Sequence, residues 1–252
     1  MEKHKKIIFF DIGNTLTIDE PFLFVLYELI FNEAKTRRLV TDFNDLMLMR
    51  EKLVLEEFDT NPPNTLGIKF FGEDWKNLSQ VVKDKYENSW LDFNILPKGV
   101  IPMLTELSKK YALGICANQP SSAREHLKQL GLEDFFQVIG MSKDRNLKKP
   151  DLEFFKVLLS EAAYTPENAL MIGDRIDNDI APAQKLGMKT ILVELAFKDY
   201  VSGDVSLNMN SYLASLERTP SRGPGKENQD TKPEGKAKSL DEIISLTEKI
   251  FK

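Results

Sequence analysis

Residues 169–179 read ALMIGDRIDND, an apolar run that leads directly into three aspartates within six positions. The run has the length of a buried strand, and Asp174 stands where that strand would end. Clustered carboxylates repel one another unless a cation offsets their charge. Oxygen ligands with no histidine or cysteine nearby suit Mg²⁺. The stretch therefore predicts a strand that leads into a metal-binding loop. The alternative is structural, with Asp179 as a helix N-cap and Asp177 as a solvated turn residue.

Further apolar runs of strand length recur along the chain, and apolar residues at helical spacing lie between most of them. The predicted strands are 7–10, 112–116, 138–140, 169–172 and 189–193, and the predicted helices are 101–111, 122–130, 152–163 and 179–186. Gly131 and Gly187 follow two of these helices, where a C-terminal glycine belongs. Strands that alternate with helices predict an α/β fold with a Rossmann-like parallel sheet that is covered on both faces.

The first two predicted strands are separated by about a hundred residues, which is far too long for a loop. Apolar or amphipathic helical patterns occupy 21–33, 46–58 and 75–91 of this segment. We therefore predict an all-helical cap domain at 19–96. It is inserted into a sheet domain that is formed by 1–18 and 97–252.

The late segment 217–239 contains no large apolar residue and is rich in Pro, Gly, Lys and Glu. Such a composition buries too little apolar surface to offset the entropy of ordering the chain. We therefore expect a disordered loop at 217–239. The amphipathic pattern at 240–251 predicts a closing helix that packs back on the sheet domain.

The composition of the chain excludes several classes of protein. The 252 residues carry a net charge of −5, which disfavours nucleic acid or an anionic membrane as a main partner. No apolar run reaches the roughly 18 residues of a membrane span, and the N-terminal run at 7–10 is shorter than the core of a signal peptide. We therefore expect a cytoplasmic protein, either a monomer or a homodimer. A single cysteine rules out an internal disulfide, and Cys116 lies in an apolar run, so we expect it in the core.

Two further predicted strands also end in residues that can carry chemistry. Asp11 ends the first strand, where it is placed to act as a nucleophile or a metal ligand, although a turn-forming aspartate is an equally ordinary role. Asn118 follows the strand at 112–116, and its amide could hold phosphate oxygens. Lys149 precedes a proline just before a helix, where it could stabilise an anion; a solvated lysine is the plainer interpretation.

The order of these segments along the chain is more specific than any one of them. A strand ending in Asp11 is followed by a strand leading to Asn118, by Lys149-Pro150, and by the Gly-Asp and Asn-Asp pairs within 173–179. This order and spacing resemble the haloacid dehalogenase (HAD) superfamily of phosphohydrolases. The resemblance covers roughly residues 1–20 and 97–200 and the closing helix, and the helical insertion resembles a C1-type cap.

The resemblance implies a nucleophile and a metal site. Asp11 would attack phosphorus to form an aspartyl-phosphate, which water then hydrolyses. Asp174 would bind Mg²⁺ directly, and Asp179 would hold it through water. Asp11 itself and the backbone carbonyl of Gly13 would complete the set of metal ligands.

The resemblance also implies how the substrate is held. Thr15 and Asn118 would position the nucleophile and the phosphate. Lys149 would neutralise both the phosphate and Asp11, because an anion that attacks an anion needs positive charge nearby. The expected substrate is a small phosphorylated molecule.

The sequence departs from the family pattern at two positions. Phosphatases of the superfamily usually carry a second aspartate, an acid and base, where this chain has Gly13. Positioned acid–base catalysis is typically worth about 10²–10⁴ in rate. The second motif usually has a serine or threonine where this chain has Ala117, which removes one hydrogen bond to phosphate.

Three functions therefore stay open at this stage. The first is an Mg²⁺-dependent phosphatase whose activity Gly13 would reduce. The second is a catalytically weak member of the fold that binds phosphate or a protein partner. The third is a dehalogenase or phosphonate hydrolase, which the pair of metal-binding aspartates disfavours.

Overall fold

The computed structural model of the chain describes residues 4–252, which form two compact units. The sheet unit combines Met1–Ile18, Leu96–Leu195 and Asp230–Lys252. The helical unit combines Asp19–Ile95 and Ala196–Gln229. Neither unit is continuous in sequence, and the chain passes between them four times.

Strands and helices alternate through most of the sheet unit. The strands are β1 (Ile7–Phe10), β2 (Ala112–Ala117), β3 (Val138–Met141), β4 (Ala169–Gly173), β5 (Lys189–Val193) and β6 (Gly235–Ala237). The α-helices of both units, in chain order, are α1 (Glu20–Thr36), α2 (Phe43–Glu56), α3 (Pro62–Phe71), α4 (Asp74–Asn88), α5 (Trp90–Phe93), α6 (Val100–Ser108), α7 (Ala123–Gln129), α8 (Ser142–Arg145), α9 (Leu152–Ala162), α10 (Ala181–Lys185), α11 (Leu207–Arg218) and α12 (Leu240–Ile250). None of these helices is both long enough and apolar enough to cross a bilayer.

All six strands lie in one parallel sheet, in the order β3-β2-β1-β4-β5-β6. The predicted α/β fold with a parallel sheet is thereby confirmed. The chain runs outward from β1 to β2 and β3, then returns to β4 on the other side of β1. Such a change of direction opens a crevice beyond the carboxyl ends of the two central strands, where ligands of open α/β sheets bind.

The sheet is held by apolar side chains on both of its faces, since β1 to β4 are buried along their whole length. On one face, α9 contributes Phe154, Phe155 and Leu158 to a cluster that also contains Phe9. Helix α9 begins after Asp151, whose carboxylate accepts a hydrogen bond from the Glu153 N–H at 2.9 Å. Satisfying that donor fixes the start of the helix immediately after Lys149-Pro150.

The helical unit contains α1 to α5 and α11, so the inserted segment is all-helical as predicted. Its core includes Trp75 and Trp90, which are 3% and 1% exposed. The prolines at 62 and 63 begin α3, which is the position in a helix that tolerates proline best.

The structure differs from the sequence-based expectation over 217–239, which is ordered. The segment begins in α11, continues through a short 3₁₀ turn at Lys226–Asn228, and includes strand β6. Residues 196–229 belong to the helical unit, whereas the sequence pattern had placed them in the sheet domain.

Buried polar groups anchor the first part of this segment. Arg50 on α2 is fully buried, and its guanidinium donates to Ser215 Oγ at 2.8 Å, to Thr219 Oγ1 at 2.6 Å and to the Pro220 carbonyl. Glu20 accepts hydrogen bonds from the hydroxyls of Tyr212 and Ser221. Composition alone could not reveal these bonds, because their partners lie more than 160 residues away along the chain.

The backbone also pairs directly at this point. Gly225 N–H donates to the Phe58 carbonyl at 3.0 Å, and Gly223 N–H donates to the Asp59 carbonyl. A Cβ atom at Gly223 would lie 2.3 Å from the carbonyl carbon of Phe58, so only glycine allows the two chains to approach this closely.

Candidate active site

The two aspartates at the ends of β1 and β4 are brought together by the register of the sheet. Phe10 pairs with Ile172, and the Asp11 N–H donates to the Ile172 carbonyl at 2.9 Å. Asp174 follows directly after Gly173, the last residue of β4. One carboxylate oxygen from each of Asp11, Asp174 and Asp179 lies within 4.8 Å of the other two. The three predicted carboxylates therefore form one cluster.

The loop after β1 is a tight turn around a single carbonyl. The oxygen of Ile12 accepts hydrogen bonds from the N–H groups of Thr15, Leu16 and Thr17, at 3.3, 2.9 and 2.9 Å. Asn14 takes up a left-handed conformation with φ at +48°, which asparagine tolerates better than most residues.

The turn buries two of the predicted site residues, Gly13 and Thr15. Within residues 4–252, the buried Thr15 hydroxyl has no hydrogen-bond partner. A buried hydroxyl without a hydrogen bond destabilises the folded state, and a bound ligand that accepts a hydrogen bond would remove this cost. The metal-binding role of the Gly13 carbonyl stays a prediction.

Asp179 reaches the cluster from a wide π-helical turn at Ile176–Ile180. The Arg175 carbonyl accepts the N–H groups of Asp179 and Ile180, at 2.9 and 3.2 Å. The Asp179 side chain is completely buried and lies over the α-carbon of Gly173. A Cβ atom at position 173 would lie 2.3 Å from Asp179 Oδ2, so the glycine before Asp174 makes room for this carboxylate.

Lys149 lies between two of the carboxylates. Its Nζ atom is 2.8 Å from Asp11 Oδ1 and 2.6 Å from Asp179 Oδ1, and its side chain is 1% exposed. Burial lowers the pKa of Lys149, but Asp11 and Asp179 more than offset that effect, so the net pKa is raised. The predicted cation is therefore placed against the predicted nucleophile.

Asn118 supports Lys149 through its main chain. The Asn118 amide donates to the Lys149 carbonyl at 2.9 Å and accepts the Lys149 N–H at 2.8 Å. This reciprocal pair joins the end of β2 to the Lys-Pro loop and leaves one amide hydrogen for another acceptor. Ala117 and Cys116 lie before Asn118 in β2, both are buried, and burial raises the pKa of the Cys116 thiol. Cys116 is therefore a core residue, as expected.

The charges of the cluster favour a divalent cation. Three carboxylates and one lysine leave two negative charges to be balanced when all four groups are ionised. The pKa of Asp179 is raised to about 6, because burial and the neighbouring Asp11 raise it by more than Lys149 lowers it. The cluster therefore keeps a net negative charge that Lys149 does not neutralise, and all of its possible ligand atoms are oxygens. These residues fit Mg²⁺.

Comparison with known proteins then decides the family. A sequence model of the haloacid dehalogenase-like hydrolases matches residues 8–193, which include every site residue described above. The chain belongs to this family. The resemblance inferred from the motifs is thereby confirmed.

Relatives within the HAD family include phosphatases of small metabolites. A glyceraldehyde 3-phosphate phosphatase of Methanocaldococcus jannaschii is 24% identical over 216 residues, which cover 80% of this chain and 90% of the relative. The pyrimidine 5′-nucleotidase YjjG of Escherichia coli is 23% identical over 224 residues, covering 84% and 96%. Among solved structures, the magnesium-bound HAD-hydrolase YfnB of Bacillus subtilis has a TM-score of 0.58 at 17% identity and covers 97% of this chain and 99% of YfnB.

Sequence reasoning missed the roles of two residues of the site. Gly173 is visible in the sequence only as part of a motif, and its packing against Asp179 depends on a turn whose shape the sequence does not reveal. Arg175 has no role in the motif, yet its N–H donates to Asp179 Oδ2 at 3.0 Å. The one signal available was its position between Asp174 and Asp177.

Proposed function

We propose that this chain is an Mg²⁺-dependent phosphatase that acts on small phosphorylated molecules through an aspartyl-phosphate on Asp11. The observation that carries the proposal is the placement of Lys149 Nζ within 2.8 Å of both Asp11 and Asp179, at the edge of a cluster of three carboxylates. A carboxylate beside a fixed cation and a metal site is suited to attack an anionic phosphate.

In the proposed reaction, a carboxylate oxygen of Asp11 forms a bond to phosphorus, and the bond from phosphorus to the leaving oxygen breaks. Water then hydrolyses the acyl phosphate, which releases inorganic phosphate and restores Asp11. Lys149 lowers the repulsion between Asp11 and the incoming phosphate. Thr15 and Asn118 supply the buried hydroxyl and the remaining amide hydrogen to phosphate oxygens.

The metal would be held by Asp11, Asp174, Asp179 and the carbonyl of Gly13. Mg²⁺ bound there would supply positive charge that stabilises the phosphoryl group during transfer. The three carboxylates meet this role because they already converge within 4.8 Å and carry more negative charge than Lys149 balances.

Gly13 sets the expected rate and the preferred leaving group. A glycine has no side chain to protonate the departing oxygen or to activate water, and such groups are typically worth about 10²–10⁴ in rate. We therefore expect modest turnover that favours leaving groups of low pKa, such as aryl phosphates.

The relatives support a small phosphorylated metabolite as the substrate. The relatives named above act on a three-carbon sugar phosphate and on pyrimidine nucleotides. A screen of phosphorylated metabolites should begin with glyceraldehyde 3-phosphate and pyrimidine 5′-monophosphates.

The test is turnover of p-nitrophenyl phosphate with and without Mg²⁺. We expect Mg²⁺-dependent release of phosphate by the native protein and at least a 10³-fold loss in Asp11→Asn. Asp134→Asn removes an exposed aspartate of the same unit and serves as the matched control, with turnover close to native. Equal activity of Asp11→Asn and Asp134→Asn would exclude Asp11 as the nucleophile.

A second candidate function is a phosphate-binding or interaction protein with little activity. Gly13 and the buried Ala117 favour it, because both lack a group that phosphatases of the family use. Binding of inorganic phosphate in the presence of Mg²⁺, without turnover of any phosphate ester, would support this function over the first.

A further inference from the structure

Asp177, the middle aspartate of the loop 173–179, has a partner that the proposed reaction does not use. Asp177 is not part of the cluster of three carboxylates. Its two oxygens accept hydrogen bonds from Arg175, from Nε at 3.0 Å and from Nη2 at 2.5 Å. Both side chains are mostly buried, with exposed fractions of 22% for Arg175 and 13% for Asp177. A two-point bond of this kind fixes direction as well as distance.

Arg175 also uses its whole main chain to hold Asp179. The Arg175 N–H donates to Asp179 Oδ2 at 3.0 Å, and the Arg175 carbonyl accepts the N–H of Asp179 at 2.9 Å. The other oxygen of Asp179 is bonded to Lys149. The orientation of the Asp179 carboxylate therefore depends on where the backbone of Arg175 lies, and the Arg175 side chain is tied to the apex of the same turn.

From this geometry we infer that Arg175 and Asp177 form a clamp that positions Asp179 for the metal, so that Arg175 is a positioning residue. The inference rests on the proposed metal site. Residues that orient metal ligands commonly change metal affinity 10- to 100-fold when they are removed.

A simple charge effect predicts the opposite result, which makes the inference testable. Arg175 is a cation near Asp174, Asp177 and Asp179. Burial lowers the pKa of Arg175, but these carboxylates, Asp177 most of all, raise it overall. If Arg175 contributed only its charge, its removal would strengthen the binding of another cation. If it positions Asp179, its removal weakens that binding.

The experiment measures the dissociation constant of Mg²⁺ by isothermal titration calorimetry on the full-length protein at pH 7.5. We expect an increase of about tenfold in Arg175→Ala. In Arg175→Lys we expect a smaller increase, because an ammonium reaches one Asp177 oxygen where the guanidinium reaches both. Asp177→Asn should resemble Arg175→Ala, and the double variant should be no worse than the poorer single variant. Thermal melting curves should show that each variant is folded. The loss of Mg²⁺ affinity is therefore expected in folded protein and does not result from unfolding.

Arg145→Ala provides the matched control. Arg145 makes a similar two-point bond to Glu161 in the same unit, at 3.3 and 2.7 Å, and its side chain is 20% exposed. Its removal should leave the Mg²⁺ affinity within twofold of native. Unchanged or tighter binding in folded Arg175→Ala or Arg175→Lys would overturn the clamp. Absence of Mg²⁺ binding by the native protein would instead overturn the proposed metal site.

Discussion

At the scale of single residues, the absence of a side chain at Gly173 determines whether the carboxylates can meet. The Asp179 carboxylate occupies the space in which a Cβ atom at position 173 would lie, at 2.3 Å from Oδ2. Glycine is therefore required by close approach, and not by an unusual backbone angle.

We accordingly predict that Gly173→Ala lowers the Mg²⁺ affinity at least tenfold, because Asp179 must move out of the cluster. The measurement is titration calorimetry, and Gly235→Ala is the control. A Cβ atom at Gly235 would meet side-chain atoms of Leu246, at 3.2 Å, and of Ile191, at 3.5 Å, and no carboxylate, so the Mg²⁺ affinity of Gly235→Ala should stay native. Native affinity in Gly173→Ala would show that Asp179 is not needed in its observed position.

Mg²⁺ binding should also depend on pH, because a proton competes for Asp179. The metal-free pKa of this carboxyl is about 6, above its ordinary value, so protonation increases as the pH falls through 6 and binding weakens. Between pH 7.5 and pH 5.5 we expect the affinity to fall about fourfold from this group alone. Calorimetry at both values tests this, and Asp179→Asn should bind weakly with a smaller pH dependence.

The sequence was sufficient to predict which carboxylate, amide and lysine side chains converge at the candidate site, but not how they are oriented or which neighbours hold them. Asp11, Asn118 and Asp174 stand at strand ends, and parallel strands bring their carboxyl ends to one edge. Roles that depend on packing or on the shape of a turn, such as those of Gly173 and Arg175, have no pattern in the sequence. The two hydrogen bonds between the Asn118 amide and the Lys149 main chain could not be predicted from the sequence either.

At the scale of elements, the segment that follows α11 shows how polar anchors can replace an apolar core. Arg50 is buried and needs acceptors, and the segment supplies them through Thr219 and Pro220. The strand β6 was also missed, since Gly235–Ala237 is three residues long and carries neither a branched nor an aromatic side chain. Patterns of apolar residues identified most of the longer elements, because those elements bury an apolar face. They did not identify α3 or α11, and only Tyr212 and Ser215 of α11 are buried.

We predict that Arg50→Met releases this segment while most of the helical unit stays folded. Buried acceptors left without donors cost about 1–3 kcal/mol each, so the melting temperature should fall by several degrees. Limited trypsin digestion followed by mass spectrometry should show faster cleavage after Arg222 and Lys226. Lys198→Ala is the control, because both side chains of the Lys198–Glu217 ion pair are more than half exposed. Native cleavage rates at both sites in Arg50→Met would show that Arg50 is not the anchor.

At the scale of the whole molecule, each unit is assembled from separate stretches of chain. The helical unit takes α11 and its following segment from Ala196–Gln229, far from the rest of its sequence. Its buried Arg50 and Glu20 both find their hydrogen-bond partners in that second stretch.

We therefore predict that a fragment of residues 19–95 does not fold on its own. Its thermal unfolding, followed by circular dichroism, should lack a cooperative transition. Co-expression with a second chain of residues 196–229 should restore the transition, because the partners of Arg50 and Glu20 return. A cooperative transition in the fragment alone would mean that residues 196–229 are not needed for the helical unit to fold.

The position of Lys149 also affects the stability of the protein without metal. Three acidic groups gathered at one point would repel each other and strain the end of the sheet whenever magnesium is scarce. An ammonium built into the protein bridges two of them and acts as an internal counterion. The architecture should for this reason survive treatment with a chelator and bind added Mg²⁺ without refolding, unlike small domains whose folding depends on the ion they bind.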